Sequence, residues 1–183
     1  DHIEYRPYEK KMAESLPGYI DRDDVIKFSK LNPKSDLNYP VRLAEESAKS
    51  YGITVIPGTE ITRDGKDVGH FNALFTTDNN KIYDKDPVQA IRNAKAQGAL
   101  VQHNHPGWSR TSVDYTEVER KAYDEGLIDG VEVINGAASG EFYPKVVDRA
   151  VERESFISGN TDIHRTTATD CIQKGGCRTM TLI

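Results

Sequence analysis

Short apolar runs alternate with amphipathic segments along most of the chain, as they do in proteins that alternate strands and helices. Runs rich in β-branched or aromatic residues predict strands at 53–56, 71–75, 99–101, 131–134 and 156–159. Asp64-Gly65 lies between the first two runs and predicts a hairpin-like connection. The alternation therefore predicts an α/β fold with a largely parallel sheet, either open or closed.

Capping residues mark where the helices between these strands begin. Asp86-Pro87 combines an N-cap acceptor with proline at the first helical position. Asp114 with Glu117 three residues later resembles a capping box. The predicted helices begin at 39–41, 86–87, 114–117 and around 146, and the first three close at Gly52, Gly98 and Gly126.

The composition is that of one globular domain. The chain has 183 residues, of which 37% are hydrophobic and 29% charged, which is enough for one substantial core. No run approaches the roughly 20 apolar residues of a membrane span, so we expect a soluble chain. The net charge of −5 disfavours an extended nucleic-acid surface, which usually carries a basic surplus.

The two cysteines, Cys171 and Cys177, are too few for a disulfide framework or a cysteine-type zinc site. We interpret them as ordinary thiols, which favours the cytoplasm. No signal peptide is visible, and a periplasmic or secreted location stays open if a signal preceding Asp1 was removed. The oligomeric state stays open as well.

Histidines and carboxylates collect at the ends of the predicted strands. The loops after parallel strands converge on one face, so side chains that are distant in sequence meet there. Imidazole and carboxylate together are ligands for Zn²⁺, Mn²⁺ or Fe²⁺. Each residue alone is more simply an ordinary core or surface side chain, but jointly they predict a metal site. The residues are His2, Glu60, His70, His103, His105, Asp162 and His164.

Taken in order, these motifs resemble the polymerase-and-histidinol-phosphatase (PHP) superfamily of metal-dependent phosphoesterases. The chain carries Asp1-His2, Gly58-Thr59-Glu60, His70, His105-Pro106-Gly107 and Asp162-Ile163-His164. Each motif is weak alone, but five in the family's order make a specific signal over residues 1–164. The resemblance implies a distorted (βα)7 TIM-like barrel whose rim binds two or three divalent transition-metal ions.

The resemblance also implies a role for each matching residue. The implied metal ligands are His2, Glu60, His70, His105, Asp162 and His164. Glu60 would bridge two ions, and Glu60, His105 and Asp162 would form the catalytic set. Asp1 would orient a ligand histidine. The ligand set suits Zn, Mn or Fe equally.

One family motif is missing, because nothing precedes Asp1 where a His-x-His should stand. We expect that motif upstream, so that residues 1–183 form a single, N-terminally incomplete PHP domain. The barrel would then lack its first strand here. Such a barrel would expose two sheet edges, which favours the same interpretation.

The expected activity is hydrolysis of a phosphate ester, a small phosphomonoester in particular, by a hydroxide that bridges metal ions. Arg6, His103 and Arg178 are candidate substrate contacts, although each arginine also suits an ordinary surface position. Trp108, directly after the His105 motif, either walls the pocket or packs under its loop.

Three other interpretations stay open. The first is a nucleotide phosphatase or nuclease that uses the same metals. The second is a non-catalytic PHP module in which metal serves only folding or binding. An amidohydrolase is disfavoured, because no lysine stands where a carbamylated ligand would be expected.

Overall fold

The computed structural model describes residues 2–3, 36–62, 68–108, 110–136 and 143–162, and the fold is given for these residues. In this part of the chain, five strands form one sheet in chain order. They are β1 (Gly58–Ile61), β2 (His70–Leu74), β3 (Leu100–Asn104), β4 (Gly130–Asn135) and β5 (Phe156–Asn160). The helices are α1 (Tyr39–Ala48), α2 (Pro87–Lys95), α3 (Glu117–Asp124) and α4 (Tyr143–Glu152).

The sheet is mixed. β2 runs antiparallel to both β1 and β3, whereas β3, β4 and β5 are parallel to one another. The strands β1, β3, β4 and β5 therefore end at one edge of the sheet, where β2 begins; we call this the C-terminal edge. The α/β class is confirmed, the largely parallel sheet is corrected by the antiparallel β2, and the (βα)7 barrel stays a prediction.

Helix α2 forms as its capping signals predict. The Asp86 side chain accepts a hydrogen bond from the Val88 N–H at 2.9 Å, and Pro87 occupies the first turn. Ile91 and Ala94 are buried in one cluster with the apolar residues of β1, β2 and β3. Among the described helices, none has the length and apolar character needed to cross a bilayer.

The prediction of a strand at 53–56 is wrong. That segment is irregular, and Ile53 and Ile56 are 63% and 50% exposed. The strand begins later, at Gly58, where the backbone finds Leu74 of β2 as its partner. A β-branched run favours extended backbone, but only a pairing strand makes it part of a sheet. Glu60 consequently lies within β1 instead of in a loop after it.

The capping box of α3 lies two residues after its predicted position. Thr116 Oγ1 accepts from the Glu119 N–H at 3.1 Å, and Glu119 Oε2 accepts from the Thr116 N–H at 2.8 Å. Asp114 instead pairs with Arg149, 3.1 Å away. The capping box forms with Glu119 and not with Glu117, because Arg110 also binds the Glu119 carboxylate and fixes its position.

The two faces of the sheet differ in chemistry. On one face, Phe71 and Val101 pack with the apolar side of α2. On the other face, Glu60, Asn72 and Gln102 lie side by side across β1, β2 and β3. Directly opposed residues share a face. The polar row therefore runs across the sheet and carries Glu60 at one end.

Candidate metal centre

Three side chains from separate strands meet at the C-terminal edge. Glu60, His70 and His105 place one ligand atom each within 4.8 Å of the others. Glu60 comes from the end of β1, and His105 directly follows β3. His70 is the first residue of β2, and it reaches the same edge because β2 runs in the opposite direction.

Glu60 is the centre of this cluster. Its Oε1 lies 3.4 Å from His70 Nδ1 and 4.0 Å from His105 Nε2. Its Oε2 lies 3.1 Å from His2 Nε2. The backbone of His2 forms a parallel bridge with Glu60, so the N-terminal residues lie alongside β1. One carboxylate thus contacts three imidazoles.

The site favours a charged Glu60 and a neutral His105. Burial alone would raise the pKa of Glu60, but the hydrogen bond from His70 and the charges of His2, His70 and His105 lower it to about 2. Burial and the nearby His70 lower the pKa of His105 to about 4, although the charges of Asp162 and Glu60 oppose this. Both groups are therefore in the protonation state that a metal requires near neutral pH.

The backbone of His105 has an unusual conformation, with a φ of +25°. Its N–H donates to Glu132 Oε2 at 2.6 Å. The Glu132 carboxylate also accepts from Asn135 Nδ2 at 3.0 Å and from Asn160 Nδ2 at 2.8 Å. Burial raises the pKa of Glu132 despite these three donors. Glu132 therefore holds a strained residue of the cluster in place from the neighbouring strand.

Sequence reasoning missed Glu132, although a signal was present. It is a lone carboxylate inside the apolar run at 131–134, and the structure leaves it 3% exposed. A charged residue in a buried strand needs partners, and its partners here are the His105 backbone and two asparagines. Asn135, which ends the same strand, is one of these donors.

A tight turn carries the chain from His105 to Trp108. The Trp108 N–H donates to the His105 carbonyl oxygen at 3.0 Å. Pro106 and Gly107, with a φ of +84°, have the positions typical of a type II turn. The Trp108 ring lies 5.3 Å from the His70 ring and 5.8 Å from the His105 ring, and it is 50% exposed. The indole therefore forms one side of the site.

His103 occupies a different position from the one expected. It lies inside β3, opposite Phe71, and its side chain is 1% exposed on the apolar face. Its Nε2 lies 3.2 Å from Glu119 Oε1, and its Nδ1 lies 3.1 Å from the Tyr123 hydroxyl. His103 and His105 stand two positions apart, which would place both on one face of a regular strand, but the positive φ of His105 ends that alternation. This burial argues against a substrate contact for His103.

The remaining predicted residues divide into two groups. Asp162 is described, half-buried, and near enough for its charge to raise the pKa of His105, but it is not part of the three-residue cluster. Residues outside the described ranges are Asp1, Arg6, His164, Cys171, Cys177 and Arg178.

The donor set fits a divalent transition metal. Glu60, His70 and His105 combine one carboxylate with two imidazoles, and His2 adds a third imidazole on the second oxygen of Glu60. Zn²⁺, Mn²⁺ and Fe²⁺ all accept this combination. Glu60 and His105 supply these donors in the protonation state that binds.

Comparison with solved structures places the chain beside PHP-type phosphoesterases. It is similar to a protein from Bacteroides vulgatus described as a two-domain protein containing a predicted PHP-like metal-dependent phosphoesterase. The two share 37% sequence identity with a TM-score of 0.71, over 83% of this chain and 44% of that one. The chain therefore spans less than half of that relative. A protein from Bifidobacterium adolescentis that is described as a putative metal-dependent phosphoesterase shares the fold, with a TM-score of 0.55 at 13% identity over 80% of this chain and 77% of that one.

No protein-family profile and no curated protein matches the chain. The structural comparison nevertheless confirms the resemblance drawn from the motifs: the chain is similar to a PHP-type phosphoesterase domain in sequence and in fold.

Proposed function

We propose that the chain is a metal-dependent phosphoesterase that hydrolyses a small phosphomonoester. The observation that carries this proposal is the meeting of Glu60, His70 and His105 within 4.8 Å at one edge of the sheet. The similarity to a PHP-like phosphoesterase at 37% identity supports the same activity. We further propose that the described sheet is part of a (βα)7 barrel.

Glu60, His70, His105 and His2 would hold the metal, with Asp162 and His164 as further ligands. Two or three divalent ions would neutralise charge on the phosphate and acidify the attacking water. Glu60 would balance the positive charge of the metal with both of its carboxylate oxygens. His105 offers a neutral ring nitrogen, and Glu132 fixes its backbone. Arg6 and Arg178 are the proposed cations for the phosphate group.

The first experiment measures metal content and turnover together. Elemental analysis of the full-length protein should find at least two transition-metal ions per chain, and p-nitrophenyl phosphate should be hydrolysed in proportion to that content. Glu60→Gln keeps the side-chain size but removes the charge that joins three imidazoles. It should lose metal and abolish turnover.

The matched control is Glu152→Gln, the same change at an exposed position at the end of α4. It should keep both metal and activity. Full activity in Glu60→Gln would contradict the assignment of the site. Metal that raises the melting temperature without any hydrolysis would favour the non-catalytic interpretation.

A further inference from the structure

An exposed indole lies beside the candidate metal centre. Trp108 is the single tryptophan of the chain and is 50% exposed. Its ring stands 5.3 Å from that of His70 and 5.8 Å from that of His105. Aromatic rings recognise other planar groups by stacking, so an exposed indole beside the cluster offers a face for such a group.

The position of Trp108 is held by the same turn that holds His105. The Trp108 N–H donates to the His105 carbonyl oxygen, so the ligand and the indole are the two ends of one turn. Gly107 between them packs against Val113, whose Cγ1 would be 2.9 Å from an added Cβ. The indole is therefore set at a fixed distance from the cluster.

The space behind the indole is too small for a substrate. The cavity between Trp108, His70, His105 and the Arg110–Glu119 pair has a volume of about 20 Å³. That is room for roughly one water molecule. A phosphate ester bound at Glu60, His70 and His105 therefore cannot place its organic group in this cavity, whereas the exposed face of Trp108 is open to it.

We propose that Trp108 determines specificity by stacking on a planar ring in the organic group of the substrate. The preferred substrates are then phosphomonoesters with an aromatic or heteroaromatic ring close to the ester oxygen. This inference rests on the proposed phosphoesterase function and adds the substrate class to it. Stacking on an aromatic side chain changes affinity by about 5- to 150-fold per ring.

Binding of matched phosphonates tests the proposal without turnover. Benzylphosphonate and cyclohexylmethylphosphonate have the same charge and number of carbons, but only the first has a planar ring. Methylphosphonate, which has no ring, reports on the metal and phosphate site alone. Calorimetry on the metal-loaded, full-length protein should give at least about 5-fold tighter binding of benzylphosphonate than of cyclohexylmethylphosphonate. The fluorescence of Trp108 should change with benzylphosphonate more than with its saturated analogue.

Three variants separate stacking from other effects. Trp108→Leu keeps apolar bulk but removes the planar face, so the preference for benzylphosphonate over cyclohexylmethylphosphonate should disappear. Trp108→Phe keeps a planar face and should restore it in part. Tyr51→Leu removes an aromatic that is 77% exposed beyond the end of α1, and it should leave the preference unchanged. Methylphosphonate should bind equally well to all four proteins.

Turnover of the matched esters gives a second readout. Benzyl phosphate and cyclohexylmethyl phosphate are both esters of primary alcohols, so their leaving groups are similar. The two esters should therefore differ in KM, and this difference should be lost in Trp108→Leu. Equal binding of the two ring phosphonates by the unmodified protein would overturn the inference, as would a preference that persists in Trp108→Leu. Failure of methylphosphonate to bind the metal-loaded protein would instead overturn the proposed function, and the inference with it.

Discussion

Replacing Glu119 by glutamine should destabilise the protein strongly, although the change only exchanges one carboxylate oxygen for an amide nitrogen. The Glu119 side chain is 0% exposed, and its carboxylate pairs with the guanidinium of Arg110 at 2.8 Å. It also accepts from the Thr116 N–H and lies 3.2 Å from His103 Nε2. Glutamine retains the capping-box geometry but leaves the partly buried guanidinium of Arg110 without its counter-charge.

The pKa of Glu119 sets the magnitude. Burial alone would raise it, but the hydrogen bond and charge of His103, the Thr116 N–H and the charge of Arg110 lower it from 4.5 to about 2. That difference corresponds to about 3 kcal/mol of stability at neutral pH. Breaking one side of a buried ion pair costs a similar amount, about 3–5 kcal/mol.

Urea unfolding of the wild type and Glu119→Gln at several pH values measures this contribution. Because the folded pKa lies below the unfolded one, the carboxylate stabilises the fold above pH 4.5, and this contribution is lost as the pH falls towards 2. The gap between the two proteins should therefore close in acid. Glu125→Gln, which breaks the partly exposed pair with Arg92, is the control and should change stability little. A loss below about 1 kcal/mol at pH 7 in Glu119→Gln would refute the reasoning.

Three other changes test the site and its support. Glu132→Gln removes the charge that holds the His105 N–H, so metal affinity should fall about 10-fold, and an unchanged metal titration of Trp108 fluorescence would speak against this role. Gly107→Ala should lower the melting temperature more than Gly98→Ala, because both have a positive φ but only Gly107 faces Val113 at 2.9 Å; equal losses would show that the close packing costs nothing. Chelation should lower the stability of the metal-loaded protein by about 2.7 kcal/mol if the free metal was 100 times its Kd, and a melting temperature insensitive to chelator would contradict a bound ion.

Local signals in the sequence determined much of the fold. Asp86-Pro87 caps α2 as predicted, because an N-cap acceptor and a proline act within a single turn of helix. The strands around 131–134 and 156–159 formed where β-branched and aromatic residues cluster. The order of Glu60, His70 and His105 along the chain also indicated the family, because the order of motifs is a property of the sequence itself.

Only the tertiary structure decided how these elements combine. Residues 53–56 have the composition of a strand but no strand to pair with, whereas Gly58–Ile61 pairs with β2. His70 reaches the candidate metal centre because β2 is antiparallel, and His103 is turned into the apolar face because it lies opposite Phe71. Pairing partners and strand direction depend on residues distant in sequence, which no local pattern records.

The contacts that hold the site in place also depend on residues distant in sequence. Glu132 acts on His105 from the adjacent strand, and the pair of Glu119 and Arg110 lines the same small cavity as His70 and His105. A buried carboxylate in an apolar run signals that a partner must exist, because an unpaired charge is too costly in the core. Residue types at strand ends are thus enough to suggest a metal site, but packing alone determines which side chains face it and which hold it rigid.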